Sequence, residues 1–196
     1  MTSSALATWR SSRLDRIDRL LAAHPDSAGS TTGPAAADEL TEALVVRLAS
    51  EFQGFCRDLH DDAIEAVIKS LPVRSSAMYS MLMEGLISGR GLDRRSADPK
   101  TVGDDFDRLG LSLWGALAMS RPASVAAWRE ALVLLHRARN GVAHADHRAL
   151  AAVQAAGWPV RLETVRRWRK LLDEIAEALD DAFIMEIDDL IGKNHS

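Results

Sequence analysis

Arg137, Arg139, Asn140, His144, Asp146 and His147 crowd into one stretch, "LLHRARNGVAHADHR", which runs from Leu134 to Arg148. These side chains suit the cleavage of a phosphodiester in RNA. That reaction needs a base for the 2′-OH proton, positive charge on the crowded phosphorane and an acid for the departing 5′-oxygen. Histidine titrates near neutral pH and can make both proton transfers. Arginine offers a phosphate two parallel hydrogen bonds from its planar fork. Asparagine adds an amide that can orient either neighbour. The chemistry needs no metal, and the sequence offers no convincing metal cage. The same letters also fit a plainer role, a helix C-terminus whose basic side chains complement the helix dipole.

Spacing decides how these groups can meet. Arg139 and His144 are five residues apart, so a regular helix points them about 140° away from each other. Gly141 lies between them, and a helix that ends or distorts there is expected to turn both toward one spot.

The elements that must position the motif are helical nearly throughout. Trp9, Leu14, Ile17, Leu20 and Leu21 give a short amphipathic arm, and "HPDSAGSTTGP", from His24 to Pro34, reads as a linker. Apolar residues from Leu40 to Leu71 recur at three- and four-residue steps, predicting a long helix that ends before Pro72. Met78 to Ile87 mark another helix. "GLDRRSADPK" is a charged loop, and "TVGDDFDRLGLSLWGALA", from Thr101 to Ala118, predicts one further helix. Pro122 starts the helix whose stripe of Val125, Trp128, Leu132, Leu135 and Ala138 leads into the motif. A small alanine-rich segment and "GWP" precede a final helix from Leu162 to Leu190. No alternating strand pattern of useful length appears. The expected fold is an all-α helical bundle with a long early helix and a long last one. Residues 1–39 form an N-terminal arm and linker, and residues 40–196 form the bundle.

Composition narrows the function classes. A chain of 196 residues with 47% apolar and 27% charged residues has the makings of a packed globular core. Its apolar runs are far short of a membrane span, and "MTSSALATWRSSRLDR" has no apolar leader core. The one cysteine, Cys56, has no partner for an internal disulfide, so a cytoplasmic, reducing setting is expected. The net charge of −4 argues against nonspecific polyanion binding by the whole protein. Its distribution is uneven. Residues 121–170 carry 10 basic against 3 acidic groups, and residues 171–196 carry 1 against 8. The basic block holds the motif and "RLETVRRWRK", so Arg161, Arg166, Arg167, Arg169 and Lys170 are candidate RNA-binding residues. The alternative is that the two blocks neutralise each other across packed helices.

"RNGVAHAD", from Arg139 to Asp146, resembles the signature of the HEPN superfamily, an Arg and a following polar residue ahead of a His. The stretch "LVVRLASEFQGFCRDL", from Leu44 to Leu59, is similar to the long early helix of the HEPN branch found in bacterial toxin and defence systems. There a Glu often precedes the aromatic, as Glu51 precedes Phe52. The resemblance covers roughly residues 40–190. It implies a HEPN-like bundle and a metal-independent endoribonuclease without cofactors that acts as a homodimer. Its two motifs would face each other across a cleft and supply one His as base and one as acid. His144 would make the proton transfers, Arg139 would clamp the phosphate and Asn140 would orient. Glu51 is a supporting candidate for holding Arg139. Arg137 also lies within the permitted spacing, although Asn140 follows Arg139. The biological role implied is a toxin or antiphage effector, silent until triggered and controlled by an antitoxin or other regulatory protein. Toxins of this branch that are paired with a nucleotidyltransferase typically carry Tyr two residues after the His. Asp146 stands there, which argues against that mode of control.

Other constellations carry less. "HADH" and "HDD", with its His60–Asp61 pair, invite comparison with HD phosphohydrolases, but the remaining metal ligands cannot be assigned. Cys56 lies on an apolar helix and fits the core better than a nucleophile's place. "GLISGRG" lacks the preceding strand and the Lys-Ser/Thr pair of a phosphate loop. Trp114, Trp128 and Trp168 fall on core stripes. Trp158 either stacks on a base or plugs a helix junction. Two rival functions stand beside the ribonuclease: a non-catalytic helical module that binds RNA, a nucleotide or a protein, and a purely structural interaction domain.

Overall fold

The computed structural model describes residues 2–24, 34–73 and 75–193. All regular structure among them is helical. In chain order the elements are α1 (Ser4–Thr8), a π-helical turn (Trp9–Arg13), α2 (Leu14–Ala22), α3 (Pro34–Lys69) and α4 (Ser76–Ile87). There follow a 3-10 turn (Gly91–Asp93), α5 (Pro99–Asp107), α6 (Leu113–Ser120), α7 (Pro122–Ala143), α8 (His147–Ala155) and α9 (Leu162–Lys193). None of the described helices is long and apolar enough to cross a membrane. Most of the proposed linker, residues 25–33, lies outside the described residues.

The two longest helices, α3 with 36 residues and α9 with 32, pack against each other and carry about half of the buried core. Helix α7 lies against both. Its expected stripe of Val125, Trp128, Leu132, Leu135 and Ala138 is buried, and the Trp168 indole N–H of α9 donates to the Ala131 carbonyl at 3.1 Å. That burial fixes the roll of α7 and sends its polar stripe outward.

Two boundaries differ from the sequence reading. The N-terminal helices do not stand apart as an arm, because Ala5, Leu6, Trp9, Leu14 and Ile17 are buried in the same core as α3 and α9. The π-helical turn seats the Trp9 ring 5.6 Å from Phe55 and 6.0 Å from Phe52, while its indole N–H donates to Asp173. Asp62 accepts from the Ser4 hydroxyl and the Ala5 amide, and Asp180 accepts from the Ser3 amide. The 39/40 boundary falls inside α3, which begins at Pro34.

The second difference is that Thr101 to Ala118 forms parts of two helices. Gly110, at φ 80°, ends the first in a Schellman turn, with its own N–H on the Asp107 carbonyl and that of Leu111 on the Phe106 carbonyl. The alanine-rich segment expected between motif and "GWP" forms α8, which Gly157, at φ 81°, terminates in the same way.

Candidate active site

Helix α7 runs regularly through Gly141 and stops at Ala143, so Gly141 neither ends nor distorts it. The glycine serves close packing instead. A Cβ there would lie 2.8 Å from a Leu150 methyl of α8, and only hydrogen lets the two helices approach. The end itself is a Schellman turn with an unusual occupant. Ala145 holds the left-handed position at φ 51°, donating to the Val142 carbonyl while Asp146 N–H donates to that of Gly141. Asp146 then caps α8, accepting from the amides of Arg148 and Ala149. His144 thus sits where the chain leaves the helix, exposed, and its imidazole makes no hydrogen bond with any described residue.

The outward stripe of α7 forms one wall of an open groove of about 850 Å³. Arg129, Val133, Arg137, Asn140 and His144 face it, following the helical step of three and four. The start of α5, with Asp98 and Lys100, and the start of α8, with Asp146 and Ala149, supply the other sides. Arg137 and His144 are seven residues apart and hence only about 20° apart around the helix. Arg139 faces elsewhere. It is absent from the groove wall, and its guanidinium donates to the Asn140 amide oxygen at 2.9 Å. The groove therefore gathers Arg137, Asn140 and His144, with Arg139 behind Asn140 as its orienting partner.

Three carboxylates line the groove. Asp98 caps α5, accepting from the Thr101 amide and hydroxyl, and Asp146 caps α8, while Glu130, on α7 beside Arg129, is exposed and has no ion pair among the described residues. Lys100 pairs with Asp104 one turn on. Neither Arg137 nor Arg129 has an ion pair among the described residues, although Arg129 lies over the Trp114 ring at 5.8 Å. His136 also borders the groove but is only 5% exposed. Burial drives its pKa down to about 4 against a backbone hydrogen bond at Ala97, so it is neutral at neutral pH, and its Nε2 lacks a partner among the described residues.

Glu51 does not reach the motif. It is 3% exposed and meets Arg13 at 3.0 Å, Arg16 at 3.5 Å and Arg47 one turn back on α3. The N-terminal segment brings it Arg13 and Arg16, which no local pattern around Glu51 announced, whereas Arg47 is its neighbour one turn back on the same helix. The basic block is divided. Arg169 forms a two-pronged pair with Asp18 at 2.7 and 2.9 Å, and Lys170 lies 3.9 Å from Glu174. The charge of Arg169 is therefore met within the fold, whereas Lys170 stays exposed and only loosely paired. Arg167 stacks 3.6 Å from the centre of the Trp158 ring, whose other neighbour is Trp168 at 5.2 Å. Trp158 is thus a buried plug with both faces covered. Arg161 and Arg166 are exposed, Arg161 beside a small cavity that Asp38 and Glu163 share.

The alternative chemistries find little in the geometry. Asp61 is paired with Arg90 at 2.6 Å, and the His60 ring packs edge-on against Phe106 at 5.3 Å, its pKa lowered by burial and by Arg90. Cys56 is fully buried, and burial pushes its thiol up. Among the described residues no three His, Cys, Asp or Glu side chains gather as a metal-holding group. Asp98, Lys100, Arg129 and His136 were not singled out from the sequence. The spacing Arg129–Val133–Arg137–Asn140–His144 carries the helical part of that signal, while Asp98 and Lys100 come from a separate element.

Comparison with protein-family models, with curated proteins and with solved structures finds no match.

Proposed function

We propose that the groove is the active site of an endoribonuclease that cuts RNA by 2′-OH attack on the adjacent phosphate. One observation carries the reading: Arg137, Asn140 and an exposed, unengaged His144 share one open groove. In this reading His144 moves the proton and Arg137 holds the phosphate. Arg139, through its hydrogen bond to Asn140, fixes the amide beside them. Each role matches the chemistry its side chain does best. No step requires a metal or a cofactor.

A single groove offers one solvent-exposed imidazole of this kind, since His136 is buried and neutral. Cleavage uses both a base and an acid. A second copy of the chain, bringing its own His144 to the same phosphate, completes the set, as the HEPN resemblance implies. The same resemblance suggests a toxin or antiphage effector held in check by a partner protein.

The test is cleavage of total RNA in EDTA by wild type and His144→Ala. The expected result is cutting by wild type alone, leaving 2′,3′-cyclic phosphate ends. Equal cutting by both proteins would reject His144 as the proton carrier. A second reading, a module that binds RNA, a nucleotide or a protein without cutting, draws on the direction of Arg139, which does not converge with His144. RNA binding that is lost in Arg137→Ala, without cleavage by the dimeric wild type, would favour it.

A further inference from the structure

A second cavity, of about 250 Å³, borders the same stretch of chain as the groove. Ser96 and Lys100 line the groove, whereas their neighbours Arg95 and Thr101 line this cavity. Four arginines surround it. Arg90 is committed, its side chain 9% exposed and paired with Asp61 at 2.6 Å and Asp93 at 3.0 Å. Arg94 and Arg95 are exposed and have no ion pair among the described residues. Arg108 donates only to the Ser88 carbonyl, at 2.9 Å, with its guanidinium close over Gly89.

Two carboxylates also line the cavity, and both are engaged. Asp105 is buried and accepts from the amides of Gly91 at 2.7 Å and Leu92 at 2.8 Å. Asp104 pairs with Lys100 on the groove side. Arg94, Arg95 and Arg108 therefore face a small space with no carboxylate partner among the described residues. Like charges so placed repel one another, and an anion between them turns that repulsion into attraction. Their planar forks match the oxygens of a phosphate.

We propose that the cavity lined by Arg94, Arg95 and Arg108 binds a phosphate-class anion. It has two chemical sources, a phosphodiester of a strand lying in the neighbouring groove or the phosphate of a free nucleotide. The first source rests on the ribonuclease reading, and the second does not.

The experiment compares wild type with an Arg94→Gln/Arg95→Gln/Arg108→Gln variant, all exposed positions, after circular dichroism has verified the fold. One arm measures binding of a short 2′-O-methylated RNA, which 2′-OH attack cannot cut, across a salt series. If the strand is the source, the variant loses about tenfold or more in affinity and its log–log salt slope shrinks by roughly two. The other arm measures binding of inorganic phosphate and AMP by calorimetry. If a free nucleotide is the source, the variant loses this binding while RNA affinity stays unchanged. Identical binding by both proteins in both arms would overturn the site, as would equal behaviour of an Arg94→Glu/Arg95→Glu charge reversal. Cleavage is scored separately, so a protein that never cuts RNA but binds phosphate through these arginines retains the site and loses only the ribonuclease reading.

Discussion

Two arginine clusters in this protein are built from similar residues and put to opposite use. Around Glu51, the guanidinium groups of Arg13, Arg16 and Arg47 converge on one buried carboxylate, and Arg13 also pairs with Asp58 at 2.7 Å. Around the groove, Arg129 and Arg137 stand in the open without an ion pair among the described residues, beside an unengaged imidazole. The first cluster ties the N-terminal helices to α3. The second leaves its charge available to something outside the fold. A buried charge stripped of its partner is costly, whereas an exposed cation is free to serve a ligand. Stability should therefore respond to the first cluster and activity to the second.

The largest stability effect is expected at Glu51. Replacing it with Ala leaves Arg13 half-buried with Asp58 as its remaining partner, and denaturant unfolding should show a loss of about 3 kcal/mol, the low end for breaking a buried pair. His144→Ala should change the same unfolding free energy by no more than about 0.5 kcal/mol, because nothing in the fold depends on an exposed imidazole. A comparable loss in both would erase the contrast.

His136 gives the next largest effect, through pH. Its folded pKa of about 4 lies below the ordinary value of 6.5, so between these limits the unfolded chain binds the extra proton. Its stabilising contribution is therefore complete above about pH 6.5 and lost as pH falls toward 4, by roughly 3 kcal/mol. Unfolding measured against pH should show this slope in wild type and a shallower one in His136→Gln.

Helix packing at the groove supplies a smaller effect. Gly141→Ala pushes a Cβ into Leu150, and thermal unfolding should report a loss of about 1–2 kcal/mol as α8 shifts from α7. The smallest effect has the opposite sign. Ala145→Gly relieves a left-handed alanine, and the melting point should rise by the equivalent of about 0.5–1 kcal/mol. Strain of this kind is characteristic of positions whose geometry serves a site.

The helical character of the fold was legible because apolar spacing survives in any context. The stripe from Val125 to Ala138 is buried as its periodicity requires. The helix ends were less legible. Gly110 splits a run whose apolar pattern continues on both sides, whereas Gly141, the glycine that looked like a stop, sits inside a helix for the sake of Leu150. At the motif, the letters picked out side chains that line one groove but not which arginine faces it. Arg139 was favoured for the Asn beside it, yet the helical step assigns the groove wall to Arg137. Glu51 shows the limit most plainly, since two of its three arginine partners, Arg16 and Arg13, lie 35 and 38 positions away. Long-range pairing of that kind depends on how helices dock, and a single sequence does not spell out docking.

The most direct test of the contrast removes one guanidinium from each cluster and measures the rate of RNA cleavage in EDTA. Arg137→Gln and Arg16→Gln change the net charge equally, and both side chains are exposed to solvent. Arg137→Gln should slow cleavage by about a hundredfold or more, the scale of losing a charge-stabilising donor, while Arg16→Gln stays within about twofold of wild type. Equal rates for the two variants would contradict the proposal that the groove is the site of RNA cleavage.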